Sequence, residues 1–279
     1  MKSDSDNTLR EKIEIDLLIE AVNRFYGYDF SNYSKAHIKR RMMVFLAKHR
    51  FESISEMQHH VLHNPQVFED FLNNFSINVT EMFRDPGFYS EFRKHIIPTL
   101  KTYPYLKIWI AGCATGEEVY SFAIMLKEEG LLSRSTIYAT DFNSEALQKA
   151  GKAIYSIDTI KSYTANYQKS GGKSSFSDYY MANYNSVIID KSLKVNVVFA
   201  EHNLVTDGVF TEANLIVCRN VLIYFNRELQ DKVLALFNDS LITGGFLALG
   251  TKETIQFSTI ANKYSIVSKE NKIYKKSII

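Results

Sequence analysis

The turn that follows the apolar residues 108–111 has the composition of a ligand-binding turn. The apolar run ends at Gly112, small and polar residues continue to Gly116, and Glu117 and Glu118 come next. Small residues allow a ligand to approach the backbone closely. Two carboxylates at the start of a helix would repel a pyrophosphate, but they suit a ligand that carries positive charge. The alternative interpretation is that both acids only complement the helix dipole.

Two more polar positions are predicted to lie near this turn. Asp141 follows a predicted strand and is 25 residues past Gly116, and Arg219 and Asn220 follow another predicted strand. In a parallel sheet, ligands bind outside the carboxyl ends of the strands, near the switch in strand order. An acid at residue 141 is well placed for the two hydroxyls of a ribose.

The pattern of the turn excludes two common nucleotide sites. It is not G-x-G-x-x-G, which disfavours a nicotinamide dinucleotide, and the turn does not lead into a Gly-Lys pair followed by Ser or Thr, which excludes a P-loop there. A ribose with a cationic end and no phosphate describes S-adenosylmethionine. The sequence therefore indicates a site for that cofactor.

From residue 106 onward, short apolar strands alternate with helices, which predicts a parallel sheet with helices on both faces. The predicted strands are 107–111, 136–140, 195–200, 215–218, 246–250, 265–268 and 272–274, and the predicted helices are 118–129, 144–150 and 227–241, the last stopped by Gly244-Gly245. The last two strands are too close for a helical crossover and predict an antiparallel hairpin at one edge. Residues 153–194 are too long for a plain loop, and we interpret them as an inserted small antiparallel β-subdomain.

The chain before the sheet has a different pattern. Residues 10–75 show helical periodicity, which predicts a small all-helical domain at residues 1–75, and residues 76–106 predict a linker with a short helix near 88–100. The predicted fold class is thus α/β, with an all-helical N-terminal domain before the sheet domain at residues 107–279.

One segment of the helical domain, residues 30–51, contains no acid but several bases. Helical periodicity places Ile38 and Met42 on one face and His37, among other bases, on the opposite face. The bases proposed to bind substrate are Lys39, Arg40, Arg41 and Lys48. Such a face fits an acidic helical partner; the alternatives are a solvated surface or a nucleic-acid contact.

Composition limits the remaining possibilities. The 279 residues are 46% hydrophobic and 23% charged with a net charge of +2, typical of a soluble globular protein without a field that favours nucleic acid or membrane. Cys113 and Cys218 are expected to be reduced thiols without a nucleophilic role. The histidines of residues 59–63 predict a surface helix and no metal site. No signal peptide or membrane-spanning run is apparent, so a cytoplasmic location is expected.

Five sequence blocks resemble the chemotaxis receptor methyltransferase (CheR) family, in register from about residue 12 to 275. They are NVTEMFRD (78–85), AGCATGEEVYSFAIML (111–126), ATDFNSEAL (139–147), FAEHNL (199–204) and CRNVLIYF (218–225). The chain departs from the family at Val119, where proline is usual, and at Met82, where phenylalanine is usual. Both changes are apolar and leave the polar positions intact, while residues 153–194 match more weakly.

This resemblance implies a Rossmann-like class I methyltransferase sheet and a known reaction. The family transfers a methyl group from S-adenosylmethionine to glutamate side chains on the cytoplasmic helices of chemoreceptors and releases S-adenosylhomocysteine. By resemblance, Arg84 and Tyr224 are the catalytic residues; for Tyr224 the alternative is aromatic packing. Together with Gly112 of the turn, the implied cofactor residues are Asn78, Thr80, Arg84, Glu117, Glu118, Asp141, Asn203, Leu204, Arg219 and Asn220, where the choice between the two glutamates stays open.

The expected chemistry needs no general base, because a glutamate side chain is already ionised at neutral pH. The enzyme is expected to position and partly desolvate this carboxylate for an in-line displacement at the sulfonium methyl group. The expected partners are chemoreceptor methylation helices, with no nucleic acid, no membrane insertion and a monomeric enzyme. The alternatives are a methyltransferase for another protein or RNA, and a regulator that binds the cofactor or a receptor without turnover. The sequence does not identify the receptor, its modified glutamates or any use of a C-terminal receptor tether.

Overall fold

The computed structural model describes residues 2–76 and 80–277, with side chains from residue 6 onward. The chain divides into two compact units. The helical unit comprises Met1–Ile77 and Tyr224–Gln230, and the sheet unit comprises Asn78–Ile223 and Asp231–Ile279. Among the described residues, no helix is both long enough and apolar enough to cross a membrane.

The helical unit is built from α1 (Lys2–Tyr26), α2 (Lys35–His49), α3 (Ile54–His63) and α4 (Pro65–Phe75). Side-chain caps fix where two of these helices begin: Ser53 accepts a hydrogen bond from the Glu56 backbone, and Asn64 accepts one from the Gln66 backbone. The core is formed by apolar side chains at helical spacing, among them Leu18, Val22, Met42, Phe45, Val61 and Phe71. This unit confirms the all-helical character predicted for the N-terminal part of the chain.

The sheet unit contains strands β1 (Leu106–Ala111), β2 (Ser135–Asp141), β3 (Ile154–Ser156), β4 (Tyr180–Asn183), β5 (Ser186–Ile189), β6 (Val197–Glu201), β7 (Ala213–Cys218), β8 (Leu241–Leu249), β9 (Tyr264–Ser268) and β10 (Ile273–Lys276). Its helices are α5 (Pro86–His95), α6 (Ile97–Leu100), α7 (Glu117–Glu128), α8 (Ser144–Lys152), α9 (Ile160–Lys169) and α10 (Arg227–Ser240), whose first turn is counted in the helical unit.

Seven strands form one sheet in the order β6-β2-β1-β7-β8-β10-β9. The first five are parallel, and β10 and β9 are antiparallel, as predicted for the C-terminal hairpin. From β1 the chain proceeds to β2 and β6 on one side and later to β7 and β8 on the other. The switch in strand order therefore lies between β1 and β7, the position at which parallel sheets bind ligands.

The inserted segment forms a separate antiparallel sheet in the order β3-β5-β4, which confirms the small β-subdomain. It also contains the helix α9, which the sequence analysis did not predict. The buried face of α9 carries Tyr163 and Tyr167, four residues apart, instead of aliphatic side chains. The helical period was therefore hidden in a segment rich in serine, tyrosine and asparagine.

The start of β8 was predicted wrongly. The glycine pair at residues 244 and 245 was expected to stop a helix before a strand at 246, but β8 already begins at Leu241. Gly244 has a φ of 78°, and a Cβ atom on Gly245 would lie 3.0 Å from the Asn214 carbonyl oxygen. The two glycines thus allow an irregular strand to pack closely against β7.

Candidate cofactor site

The turn between β1 and α7 can be formed only by residues of particular types. Gly112 has a φ of 73°, and a Cβ atom there would lie 2.5 Å from Cγ2 of Val221. Gly116 has a φ of 92°, and a Cβ atom there would lie 2.9 Å from Cβ of Ala150. Both glycines are therefore required by backbone conformation and by packing. They expose the backbone of the turn at the switch point.

Asp141, the last residue of β2, holds this turn in place. Its Oδ2 atom accepts a hydrogen bond from the Ala114 backbone at 2.9 Å, and its Oδ1 atom accepts one from the Asn143 backbone at 3.0 Å. Burial raises the pKa of Asp141, and the backbone hydrogen bonds oppose that rise. The Phe142 backbone is a third hydrogen-bonding partner of this carboxylate. A carboxylate has about four acceptor sites, so one is left for a ribose hydroxyl.

Glu117 is a buried carboxylate at the first position of α7, with only 6% of the residue exposed. Its Oε2 atom accepts a hydrogen bond from Oγ1 of Thr115 at 2.7 Å. Burial raises the pKa of Glu117 to about 7. Within the described residues, no lysine or arginine contributes to that pKa. A bound ammonium group would supply the positive charge that this carboxylate needs.

Glu118 has a different environment from its neighbour. Its Oε1 atom accepts a hydrogen bond from Nη1 of Arg219 at 2.6 Å, while Nη2 of Arg219 reaches Asp85 at 2.7 Å. The same guanidinium lies 4.2 Å from the ring centroid of Phe88, and the Arg219 side chain is 2% exposed. Glu118 and Arg219 therefore form a buried structural ion pair, which leaves Glu117 as the carboxylate that suits a cationic ligand.

Asn220 is held in a strained conformation after β7 by Glu253. It has a φ of 62°, and its backbone N–H donates to Oε2 of Glu253 at 3.1 Å. The backbone N–H groups of Val221 and Gly250 donate to the same carboxylate. The sequence analysis missed Glu253; the available signal was an acid three residues after the predicted strand 246–250. This carboxylate fixes the loop that carries Arg219 and Asn220.

The remaining predicted cofactor residues of the sheet unit lie in two segments. After β6, the side chain of Asn203 accepts a hydrogen bond from the Val205 backbone at 3.0 Å, and Leu204 is buried. Before α5, Thr80 and Arg84 are partly buried, and the Arg84 carbonyl oxygen accepts a hydrogen bond from Arg219 at 3.3 Å. Asn78 lies outside the described residues.

The other predicted functional residues belong to the helical unit. Lys39 pairs with Glu11 at 2.6 Å and Lys48 pairs with Asp70 at 2.7 Å, while Arg40 is exposed and Arg41 is partly buried. The ring of Tyr224 lies 4.6 Å from that of a histidine of α2, centroid to centroid.

That histidine is His37, and its predicted place on the basic face of α2 was wrong, because it is 6% exposed. The buried arc of α2 is wide enough to include both His37 and its neighbour Ile38. Burial, together with Arg41 and Arg40, lowers the pKa of His37 to about 4, so the imidazole is neutral at pH 7. The exposed basic surface of α2 is accordingly narrower than the sequence indicated.

Both cysteines are buried next to the site, and burial raises the pKa of each thiol well above its usual value. A nucleophilic cysteine requires a thiolate, which these environments disfavour. The chemistry of the site therefore depends on carboxylates, backbone amides and arginine.

Comparison with known proteins agrees with this geometry. Residues 78–273 match the model of the CheR methyltransferase SAM-binding domain, and residues 13–76 match that of the CheR methyltransferase all-alpha domain. The chain belongs to the CheR methyltransferase family. Its cofactor is S-adenosylmethionine, and its activity is that of a methyltransferase, as the sequence analysis predicted.

Two relatives are similar over most of their length. A protein called Cher3 from Pseudomonas putida is 49% identical over 265 residues, which cover 95% of this chain and 97% of the relative. The chemotaxis protein methyltransferase of Listeria innocua is 30% identical over 236 residues, which cover 84% of this chain and 87% of the relative. Among solved structures, the N-methyltransferase NodS from Bradyrhizobium japonicum, in complex with S-adenosylhomocysteine, aligns with 61% of this chain and 63% of its own at 14% identity and a TM-score of 0.35, too distant to support an argument.

Proposed function

We propose that this protein methylates glutamate side chains on the cytoplasmic helices of chemoreceptors and releases S-adenosylhomocysteine. The observation that carries the proposal is the buried Glu117 carboxylate beside a glycine turn at the switch point, in a chain of the CheR family. The name of the Listeria innocua relative, chemotaxis protein methyltransferase, supports the choice of substrate. The enzyme acts in the cytoplasm as a monomer and uses no nucleic acid.

The residues of the sheet unit are assigned by their chemistry. Glu117 binds the ammonium group of the methionyl end, and Asp141 binds the ribose by accepting a hydrogen bond from a hydroxyl. Asn203 and Leu204 line the adenine. Arg219 and Asn220 form the floor of the cofactor site. Arg219 is held there by its contacts with Glu118, Asp85 and the Arg84 carbonyl oxygen. Asn78, Thr80 and Arg84 complete the site from the segment before α5. Gly112 allows the cofactor to approach the backbone of the turn closely.

The reaction requires positioning more than proton transfer. When bound, the cofactor supplies an electrophilic methyl group on a sulfonium. A carboxylate oxygen of the acceptor glutamate forms the new bond to the methyl carbon as the carbon–sulfur bond breaks, and no proton is exchanged. Arg84 orients the acceptor, since a guanidinium can pair with both oxygens of a carboxylate. We assign Tyr224 to the transfer end of the site as the second catalytic residue.

The basic residues of α2 provide a surface for a glutamate-rich helix. Lys39 and Lys48 pair with Glu11 and Asp70 through exposed side chains. Exposed ion pairs of this kind contribute about 0–1 kcal/mol, so an acidic partner can replace them at little cost. Arg40 and Arg41 extend the same surface. Lys39, Arg40, Arg41 and Lys48 are therefore proposed as the substrate-binding residues.

The test is the transfer of labelled methyl groups from S-adenosylmethionine into membranes that contain receptors of the same organism. A glutamyl methyl ester hydrolyses in mild alkali, so the protein-bound label should be released as methanol, and Asp141→Ala should give no label. Label that resists alkali would contradict the carboxyl assignment and favour another methyl acceptor. Binding of the cofactor by calorimetry without formation of S-adenosylhomocysteine in the presence of receptors would instead favour a regulator without turnover.

A further inference from the structure

One histidine of α2 is buried without a hydrogen-bonding partner. His37 is 6% exposed, and neither of its ring nitrogens has a partner among the described residues. Buried polar groups that remain unpaired are rare in folded proteins and are costly to the folded state. An aliphatic side chain would fill the same space without this cost. The two nitrogens therefore indicate a role other than packing of the core.

A second unpaired donor lies one helical turn further along α2. The Nε atom of Arg41 is buried and has no hydrogen-bonding partner in the part of the chain that the structure describes. Residues four apart on a helix have Cβ atoms about 5–6 Å apart and share one face. A neutral imidazole has one N–H group. His37 and Arg41 thus each contribute an unpaired N–H donor to the same side of α2.

Tyr224 lies beside this pair, and backbone hydrogen bonds within the helical unit hold it there. The Ser34 N–H, directly before α2, donates to the Tyr224 carbonyl oxygen at 2.8 Å, and the Asn226 N–H donates to the Asn32 carbonyl oxygen at 2.8 Å. The Tyr224 ring lies 4.6 Å from the His37 ring, centroid to centroid. The tyrosine assigned to the transfer end of the site is therefore a neighbour of the unpaired histidine.

We propose that His37 and Arg41, beside Tyr224, hold the carboxylate of the acceptor glutamate. Each of the two N–H groups can donate to one carboxylate oxygen, and hydrogen bonds to an ionised acceptor are about twice as strong as neutral ones. After methylation the acceptor is an uncharged ester, which these donors hold more weakly. A carboxylate has about four acceptor sites, so the assignment of Arg84 as an orienting group is compatible with this one. The inference rests on the proposed function, methyl transfer to glutamate.

The acceptor must displace a neighbouring side chain to reach His37, because the imidazole nitrogens are covered in the free protein. Changes of side-chain rotamer are common when partners bind. Tyr224 is partly buried and lies against the imidazole, so we assign this movement to its ring.

This site has a different task from the exposed bases of α2. Lys39 and Lys48 attract an acidic helix by charge, whereas two N–H donors side by side recognise a single carboxylate. A glutamine in the same place would direct its NH2 group at one of the two donors, because an amide has one acceptor oxygen and one donor nitrogen. His37 and Arg41 therefore select glutamate against glutamine.

The experiment measures methyl transfer into receptor-containing membranes by the full chain with His37→Leu. Leucine has a volume similar to that of histidine and removes both nitrogens. His37→Asn and His37→Gln restore an N–H group near the positions of Nδ1 and Nε2, respectively. The matched control is His49→Leu on the same helix, because Nε2 of His49 has a partner, Asp70, at 3.1 Å. Thermal unfolding and calorimetry with S-adenosylhomocysteine are measured for every variant.

We expect His37→Leu to lower kcat/KM for the receptor about tenfold, the effect of losing one hydrogen bond to a charged group. Its affinity for S-adenosylhomocysteine should be that of the wild type, because His37 contacts the acceptor alone. Its Tm should equal or exceed that of the wild type, since the free protein loses no hydrogen bond. At least one of the two amide variants should recover most of the transfer. His49→Leu should show the opposite pattern, a lower Tm with an unchanged kcat/KM.

Three results would overturn the inference. One is a wild-type kcat/KM for His37→Leu. Another is a fall in kcat/KM that comes with a lower Tm and weaker cofactor binding, since His37 would then be a structural residue. The third is the failure of both amide variants to recover transfer, which would show that the acceptor does not contact an N–H group there. A wild-type enzyme that gives no alkali-labile label would instead contradict the proposed function itself.

Discussion

Arg219 offers a sharp test of how the sheet unit is held together. Its side chain is 2% exposed and pairs with Glu118, whose side chain is 15% exposed, and with Asp85, whose side chain is 39% exposed. The change is Arg219→Met, which keeps an unbranched side chain against Phe88 and removes the charge. Asp85 can be rehydrated, but Glu118 would be left as a nearly buried and unpaired carboxylate.

The loss of one partner from a buried ion pair costs about 3–5 kcal/mol, because the remaining charge cannot be solvated. For a protein of this size, such a loss lowers Tm by about 10 °C. We expect Arg219→Met to destabilise the protein by that amount in urea and in thermal unfolding. The double variant Arg219→Met/Glu118→Gln should recover a large part of the loss, because it leaves no buried unpaired charge.

The matched control is Arg24→Met, which removes an exposed arginine that pairs with Glu20 within one helix. Its stability should stay almost unchanged, as is usual for exposed pairs. A loss below about 1 kcal/mol for Arg219→Met would refute the argument. So would a double variant that is no more stable than Arg219→Met, since the unpaired Glu118 would then not be the cause of the loss.

Three further changes test other parts of the site. Because burial raises the folded-state pKa of Glu117 to about 7, ionisation of this group costs stability progressively between pH about 4.5 and about 7. Glu117→Gln should therefore have a higher Tm than wild type at pH 8 but not near pH 5 in calorimetric scans, while its affinity for S-adenosylhomocysteine falls. Gly112→Ala should destabilise the protein by about 2 kcal/mol in urea unfolding and weaken binding of S-adenosylhomocysteine, because the new Cβ would meet Val221. The control Gly87→Ala should have neither effect, because no atom lies within 4 Å of the new Cβ. Glu253→Gln should weaken the ligand's binding in calorimetry, because a carboxamide cannot accept all the backbone hydrogen bonds that fix the Asn220 loop.

The parts of the site that sequence alone could predict are local ones. Gly112 and Gly116 are required within a single turn, and Asp141 follows a strand that apolar patterning identifies. In parallel sheets these positions meet at the switch point whatever the remaining chain does. Turn chemistry and strand alternation were therefore enough to predict the α/β fold class and to indicate the kind of cofactor, which the resemblance to the CheR family then specified.

The parts that sequence could not predict depend on long-range packing. Tyr155, whose hydroxyl donates to the Thr115 carbonyl oxygen of the turn, comes from the inserted segment, whose polar and aromatic composition gave no clear signal. Glu253 acts on backbone groups more than 30 residues away along the chain. Such contacts join residue types that have many other uses on a protein surface, and only the fold determines which use applies.

The adjacent acids Glu117 and Glu118 show this limit most clearly. In sequence they are two equivalent carboxylates at the start of a helix, and helix-dipole stabilisation alone would explain both. Successive helical residues point about 100° apart, so the two side chains enter different surroundings. Glu118 meets Arg219, which is 101 residues away in the chain, and becomes a structural ion pair. Glu117 enters a buried site where Thr115 is its hydrogen-bond donor, and it forms no salt bridge within the described residues. A buried carboxylate of that kind is costly to the folded protein, and a bound cationic group would compensate for the cost.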